Sequence, residues 1–194
     1  MSGPIDNGSD HPESRPSAAP GFRVFVGPKE PPALGDAGGG PSGNGESRLQ
    51  DQDYERACEE VRRENERLLD TFVGLLRRQR LAPRTIKRHR DNVEFFINEF
   101  LLWEGVKRPD EGIEDVDAFL GDWFIRKAMW STPSTIKSNA TSLYKFYAFL
   151  AALDRVSPQQ LATFGQTIAR QMPEWLARCE RYNDPDIEDW WGME

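Results

Sequence analysis

Residues suited to redox or metal chemistry are scarce in these 194 residues, which contain two cysteines and two histidines. Cys58 and Cys179 lie far apart and belong to no Cys-x-x-Cys or Cys/His grouping, so a zinc site or a disulfide scaffold does not organise the chain. Reduced thiols are the expectation. No apolar run approaches about 18 residues and no charged-then-apolar leader opens the chain. A soluble, cytoplasmic protein without a membrane partner is therefore expected. Strand-length apolar alternation is absent from the central region, which excludes a sheet there. No Gly-rich phosphate loop, paired acid and base, or metal-ligand cluster is found, so neither a cofactor nor an enzyme is expected. The most informative absence is local: no carboxylate occurs from Ser131 to Ala152, in a chain of net charge −7.

That stretch reads as an amphipathic helix. Ile136, Ala140, Leu143, Tyr147 and Leu150 follow the three-and-four spacing of a buried stripe. Ser134, Lys137, Ser138, Thr141 and Lys145 occupy the other side. Thr132 suits a cap and Pro133 the first turn, yet no acid complements the dipole there, which leaves backbone N–H groups open to a phosphate. The same start occurs fifty residues earlier: Pro83-Arg84-Thr85-Ile86-Lys87 aligns with Pro133-Ser134-Thr135-Ile136-Lys137. The register continues as Val93 with Leu143, Phe96 with Phe146, and Phe100 with Leu150. Arg84, Lys87, Arg88, His89 and Arg90 precede the first acid of the earlier helix, Asp91. By contrast the helix between them opens with Glu114, Asp115 and Asp117, the ordinary complement to a helix N-terminus.

Three regions follow from composition. Residues 1–50 are rich in Gly, Pro and Ser and read as a disordered tail, interrupted by the strand-like Phe22–Val26. Residues 51–181 read as one helical domain, and residues 182–194 as an acidic tail with Trp190 and Trp191. The four segments 1–50, 51–80, 81–181 and 182–194 carry −2, −1, +1 and −5, so the acidity sits mainly outside the middle of the domain. Helices are predicted over about 50–80, 83–103, 114–129 and 133–154, then from 159 to about 172, where Pro173 breaks or kinks the chain before 174–181. The first carries a mixed-sign half with a Glu59–Arg63 pair at helical spacing. The predicted fold is all-α: an orthogonal bundle of four to five helices with a disordered N-terminal tail.

Leu69 to Phe72 followed by Ala82-Pro83-Arg84-Thr85-Ile86, and the later Thr-Ile-Lys start followed by Leu143-Tyr144-Lys145-Phe146-Tyr147-Ala148-Phe149-Leu150, carry a family resemblance. Over about Leu68 to Ser157 the chain resembles the N-terminal core-binding, SAM-like domain of tyrosine recombinases and phage integrases. The resemblance implies a four-helix domain forming half of a clamp on DNA, with its second and fourth helices toward the major groove. The two acid-free helix starts fall on those helices. The chain departs from the family in its catalytic equipment. The family's catalytic domain supplies arginines, a His-x-x-Arg motif and a tyrosine nucleophile, whereas about forty residues follow the match here and neither His11 nor His89 begins such a motif, since Ser14 and Asn92 stand at the fourth position. DNA cleavage is therefore not expected.

The expected function is a non-catalytic DNA-binding module, accessory to or a remnant of site-specific recombination and integration. Its partners would be double-stranded DNA and a recombinase or a second copy. Arg84, Thr85, Lys87, Arg88, Arg90, Ser134, Thr135, Lys137, Ser138, Thr141 and Lys145 are the candidate contacts, arginine and lysine to phosphates and base edges, serine and threonine as neutral donors. His89 is expected at the surface beside the arginines. Phe95, Phe96, Trp103, Trp123, Phe124, Phe146 and Tyr147 are assigned to the core, and Trp130 is left open between core and contact. The alternative is a protein-interaction adaptor on the same bundle, acting through Tyr54 to Arg67, Phe22–Val26 and the Trp-containing tail.

Overall fold

The structure, a computed structural model, describes residues 43–103 and 105–184. Phe22–Val26, Trp190 and Trp191 lie outside the described residues. Those that are described form helices and turns, without a strand. Helix α1 spans Gly43–Arg78 and α2 spans Pro83–Phe95, continued by a π turn at Phe96–Phe100. The expected boundary at residue 50 thus falls inside α1. A third helical segment is composite: a 3-10 turn at Glu111–Asp115, the short α3 at Val116–Ala118, a π turn at Phe119–Trp123, and α4 at Phe124–Lys127. Helices α5, Pro133–Ala152, and α6, Pro158–Tyr182, complete the bundle.

Helices α1 and α2 form an antiparallel hairpin. Glu66 of α1 pairs with Arg90 of α2 at 2.7 Å, and Asn65 Nδ2 donates to Ile97 O and to Asn98 Oδ1 at 2.8 Å. Helix α5 packs on both α2 and α6. Its apolar stripe closes the core: Ile136, Leu143, Phe146, Tyr147 and Leu150 are fully buried, and Phe146 meets Phe72 of α1 edge-on at 5.5 Å. Tyr147 donates its hydroxyl to Pro109 O at 3.0 Å, which satisfies the one polar atom of a side chain sealed in the core. Arg63 does not pair with the Glu59 carboxylate; its guanidinium donates to the Glu59 backbone carbonyl.

Two predicted elements differ from those observed. The segment expected as one helix over 114–129 is interrupted, because i to i+5 bonding at Phe119–Trp123 brings residues five apart into one stack. Phe119 and Phe124 lie 5.6 Å apart, and both rings contact Phe95. Helix α6 runs through Pro173 without a break. The half beyond the proline is anchored by Trp175, buried with its Nε1 donating to Asp117 at 2.6 Å, and by Arg178, which donates to Gly121 O at 2.8 Å. Tertiary bonds there outweigh the one backbone bond that proline removes. No described helix is long and apolar enough to cross a membrane.

Candidate nucleic-acid interface

The two helices of the internal repeat meet each other at equivalent positions. Asn92 Nδ2 donates to Ser142 Oγ at 2.9 Å and to Ser138 Oγ at 3.1 Å, and Asn92 and Ser142 are partners in the fifty-residue register. His89 Nδ1 lies 2.8 Å from the same Ser142 Oγ, whose own proton goes to Ser138 O at 2.8 Å. With that proton committed, Ser142 accepts from both neighbours, so His89 carries its hydrogen on Nδ1. His89 is 3% exposed and not the surface residue expected from its arginine neighbours. Its repeat partner Asn139 is buried as well, with Nδ2 donating to Thr135 O. Burial lowers the His89 pKa first, and the nearby Lys145 and Arg88 lower it further.

The junction residues lie six to nine residues into α2 and five to nine into α5, which is about 8 to 14 Å along each helix from its start at 1.5 Å per residue. Arg88 of α2 and Lys145 of α5 flank the junction. Arg84, Ser134, Lys137 and Thr141 are exposed along the two helices, and Thr85 and Ser138 are half-buried. Arg84, Arg88, Lys137 and Lys145 form no ion pair with any described residue. The remaining candidates are held differently. Lys87 pairs with Asp91 at 2.6 Å. Arg90 sits between Glu94 and Glu66; its partial burial opposes the charge, but the two carboxylates outweigh it and hold its pKa above the ordinary value. Thr141 Oγ1 donates back to Lys137 O, and Ser138 Oγ receives Asn92.

Thr132 caps α5 as expected, and the cap leaves the start less open than the acid-free first turn suggested. Thr132 Oγ1 accepts from the Thr135 N–H at 3.1 Å, while Thr135 Oγ1 accepts from the Thr132 N–H at 2.8 Å, a capping box in which threonine replaces the usual Glu or Gln. The Thr135 hydroxyl is thereby committed to the cap. Helix α2 has no side-chain cap at Ala82, and the Thr85 N–H turns back to Ala82 O. Trp130 packs against Phe95 with ring centroids 5.5 Å apart, which resolves it as part of the core edge. The other aromatics named as core are buried or packed against the core.

Three exposed arginines escaped the sequence reading. Arg77 and Arg78 end α1, and Arg80 stands in the turn between it and α2. The signal was present, since the stretch from Thr71 to Arg90 contains no acid and seven cations. The break between α1 and α2 splits that stretch between two helices. Cys58 and Cys179 are buried free thiols, and burial raises the Cys179 pKa. Among the described residues no group of three or more His, Cys, Asp or Glu side chains is placed to hold a metal ion. Comparison of the chain with protein-family models, with curated proteins and with solved structures finds no match in any of the three.

Proposed function

We propose that the chain is a non-catalytic, cytoplasmic module that binds double-stranded DNA through the face shared by α2 and α5. In this reading the bundle is of the integrase core-binding kind and serves as an accessory to, or remains from, site-specific recombination. The observation that carries the reading is that Arg88 and Lys145 flank one buried polar junction, that Arg84 and Lys137 are exposed on the same two helices, and that none of the four forms an ion pair with a described residue. Buried hydrogen bonds fix the spacing of the two helices, so the cations are presented at a set geometry rather than on independent loops. Helix α5 contributes no opposing charge anywhere along its length.

Fluorescence anisotropy of a labelled duplex at low and moderate salt tests this directly. The full chain should bind, and binding should fall steeply as salt displaces the phosphate contacts. Changing Arg84, Arg88, Lys137 and Lys145 together to Ala should abolish it with helicity retained, since none of the four is ion-paired with a described residue. Absence of binding by the wild type at low salt would sink the reading. The adaptor alternative then gains weight from one observation: Met129 is 94% exposed, on a turn pinned by the Ser131 N–H to Ala128 O bond at 2.8 Å.

A further inference from the structure

We infer that the nucleic-acid surface extends past α2 onto the end of α1, with Arg77, Arg78 and Arg80 forming a second phosphate-binding group. The inference rests on the DNA reading above and enlarges its footprint. Two independent observations carry it. The first is charge: these exposed arginines form no ion pair with any described residue, and they continue into Arg84 and Arg88 across a corner that contains no acid. Elsewhere the arginines of this chain are commonly neutralised, as Arg155 is by Asp110 at 3.0 Å and Arg181 by Glu174 at 3.1 Å.

The second is backbone conformation. Arg80 has φ 59°, in the left-handed region. Its N–H donates to Arg77 O at 2.9 Å, and the Leu81 N–H donates to Leu76 O at 3.3 Å. That bond pair closes a helix around a residue for which glycine is the common choice, because glycine has no Cβ to strain there. The same bond pair closes α5 around Asp154 at φ 56°, so this conformation accepts residues of either charge; at the end of α1 the dipole favours a cation, and Arg80 adds one to the corner. A cation held there by a closed helix end, ahead of the α2 start, has a use in gripping a polyanion. Double-stranded nucleic acid is the favoured partner because the cations run on from the corner to the α2–α5 junction, a track of charge that an extended phosphate backbone can follow.

The test uses the full chain, a labelled duplex, and anisotropy from about 50 to 200 mM salt, where each lost phosphate contact makes the log–log salt slope shallower by about 0.9. Changing Arg77 and Arg78 to Ala with Arg80→Gly should flatten the slope by roughly 2 to 3. Arg80→Gly alone should flatten it by about 1 while leaving Tm unchanged or higher, and this single variant decides the matter even if the triple one folds poorly. Wild-type slopes in both variants, alongside lost binding in the α2–α5 variant, would overturn the extension and leave the DNA reading standing. A lower Tm in Arg80→Gly would make Arg80 a structural residue and overturn it too. If the wild type binds vesicles of anionic phospholipid but no duplex, both the extension and the reading fall.

Discussion

At the scale of single residues, His89 is the most consequential departure from expectation. Its sequence neighbours are three cations, yet its ring is turned inward to donate to Ser142. The neutral ring satisfies that bond with one proton, and burial together with Lys145 and Arg88 depresses its pKa below the ordinary 6.5. In the unfolded chain the imidazole takes up a proton near that ordinary value, whereas the folded chain resists it. The unfolded state therefore binds more protons as pH falls through about 6.5, and folding stability drops with it. The contribution is fully present above that range and declines until the folded pKa is reached. His89→Asn keeps a donor near the Nδ1 position, as Asn139 does at the equivalent place in the repeat. Thermal melts at pH 7.5 and 5.5 should show a larger fall for the wild type than for His89→Asn. Equal falls would mean that the ring is protonated without cost, and that the junction is not closed to water. Carboxylates such as Glu99, whose pKa burial raises, titrate in both proteins and cancel from the comparison.

At the scale of elements, Pro173 poses a contest between local rule and tertiary packing. A proline inside a helix removes a backbone bond and crowds the preceding turn, at about 3 kcal/mol. Loss of the restriction that proline places on the unfolded chain offsets up to about 1 kcal/mol of that. Pro173→Ala is therefore expected to stabilise the fold by about 2 kcal/mol, read as a higher denaturation midpoint at unchanged slope. Destabilisation would show instead that the proline bend sets Trp175 against Asp117 and Gly121. That fit is tight, since a Cβ at Gly121 would lie 2.8 Å from the Trp175 ring. The same contest explains what was legible beforehand. The α2 and α5 starts, with Ile86 and Ile136 buried alike, follow from Pro at the first turn and a regular apolar period. The cationic residues of both helices were equally visible, because charge is a property of sequence alone. The π turns at Phe96–Phe100 and Phe119–Trp123 were not legible. They arise from rings of distant segments competing for one stack, Phe95 with Trp123 and Trp130 for instance, and a period-3.6 pattern contains no sign of that competition. Spacing does put Asp91 and Glu94 four residues after Lys87 and Arg90, but it cannot show the second carboxylate that meets Arg90. Glu66, which claims Arg90, comes from another helix.

At the scale of the whole molecule, a chain of net charge −7 is asked to hold a polyanion, and the distribution of charge decides whether it can. Long-range repulsion acts over about 10 Å at 0.1 M salt and only about 3 Å at 1 M. Acids remote from the α2–α5 face therefore matter little at physiological ionic strength. Those near it matter more. Helix α6 ends beside the α5 start, with Asn183 Nδ2 donating to Ser131 O at 2.9 Å. The residues that follow in sequence, 185–194, contain four further acids. Their charge opposes a phosphate that comes within a screening length of them. Removing residues 185–194 should accordingly raise duplex affinity severalfold at about 50 mM salt, with the gain shrinking toward 1 M as screening erases the repulsion. Titrations of both forms across that range check it. A gain independent of salt would point to steric cover rather than charge. Weaker binding by the shortened form would place those residues in the grip itself, reversing the sign assigned to them here.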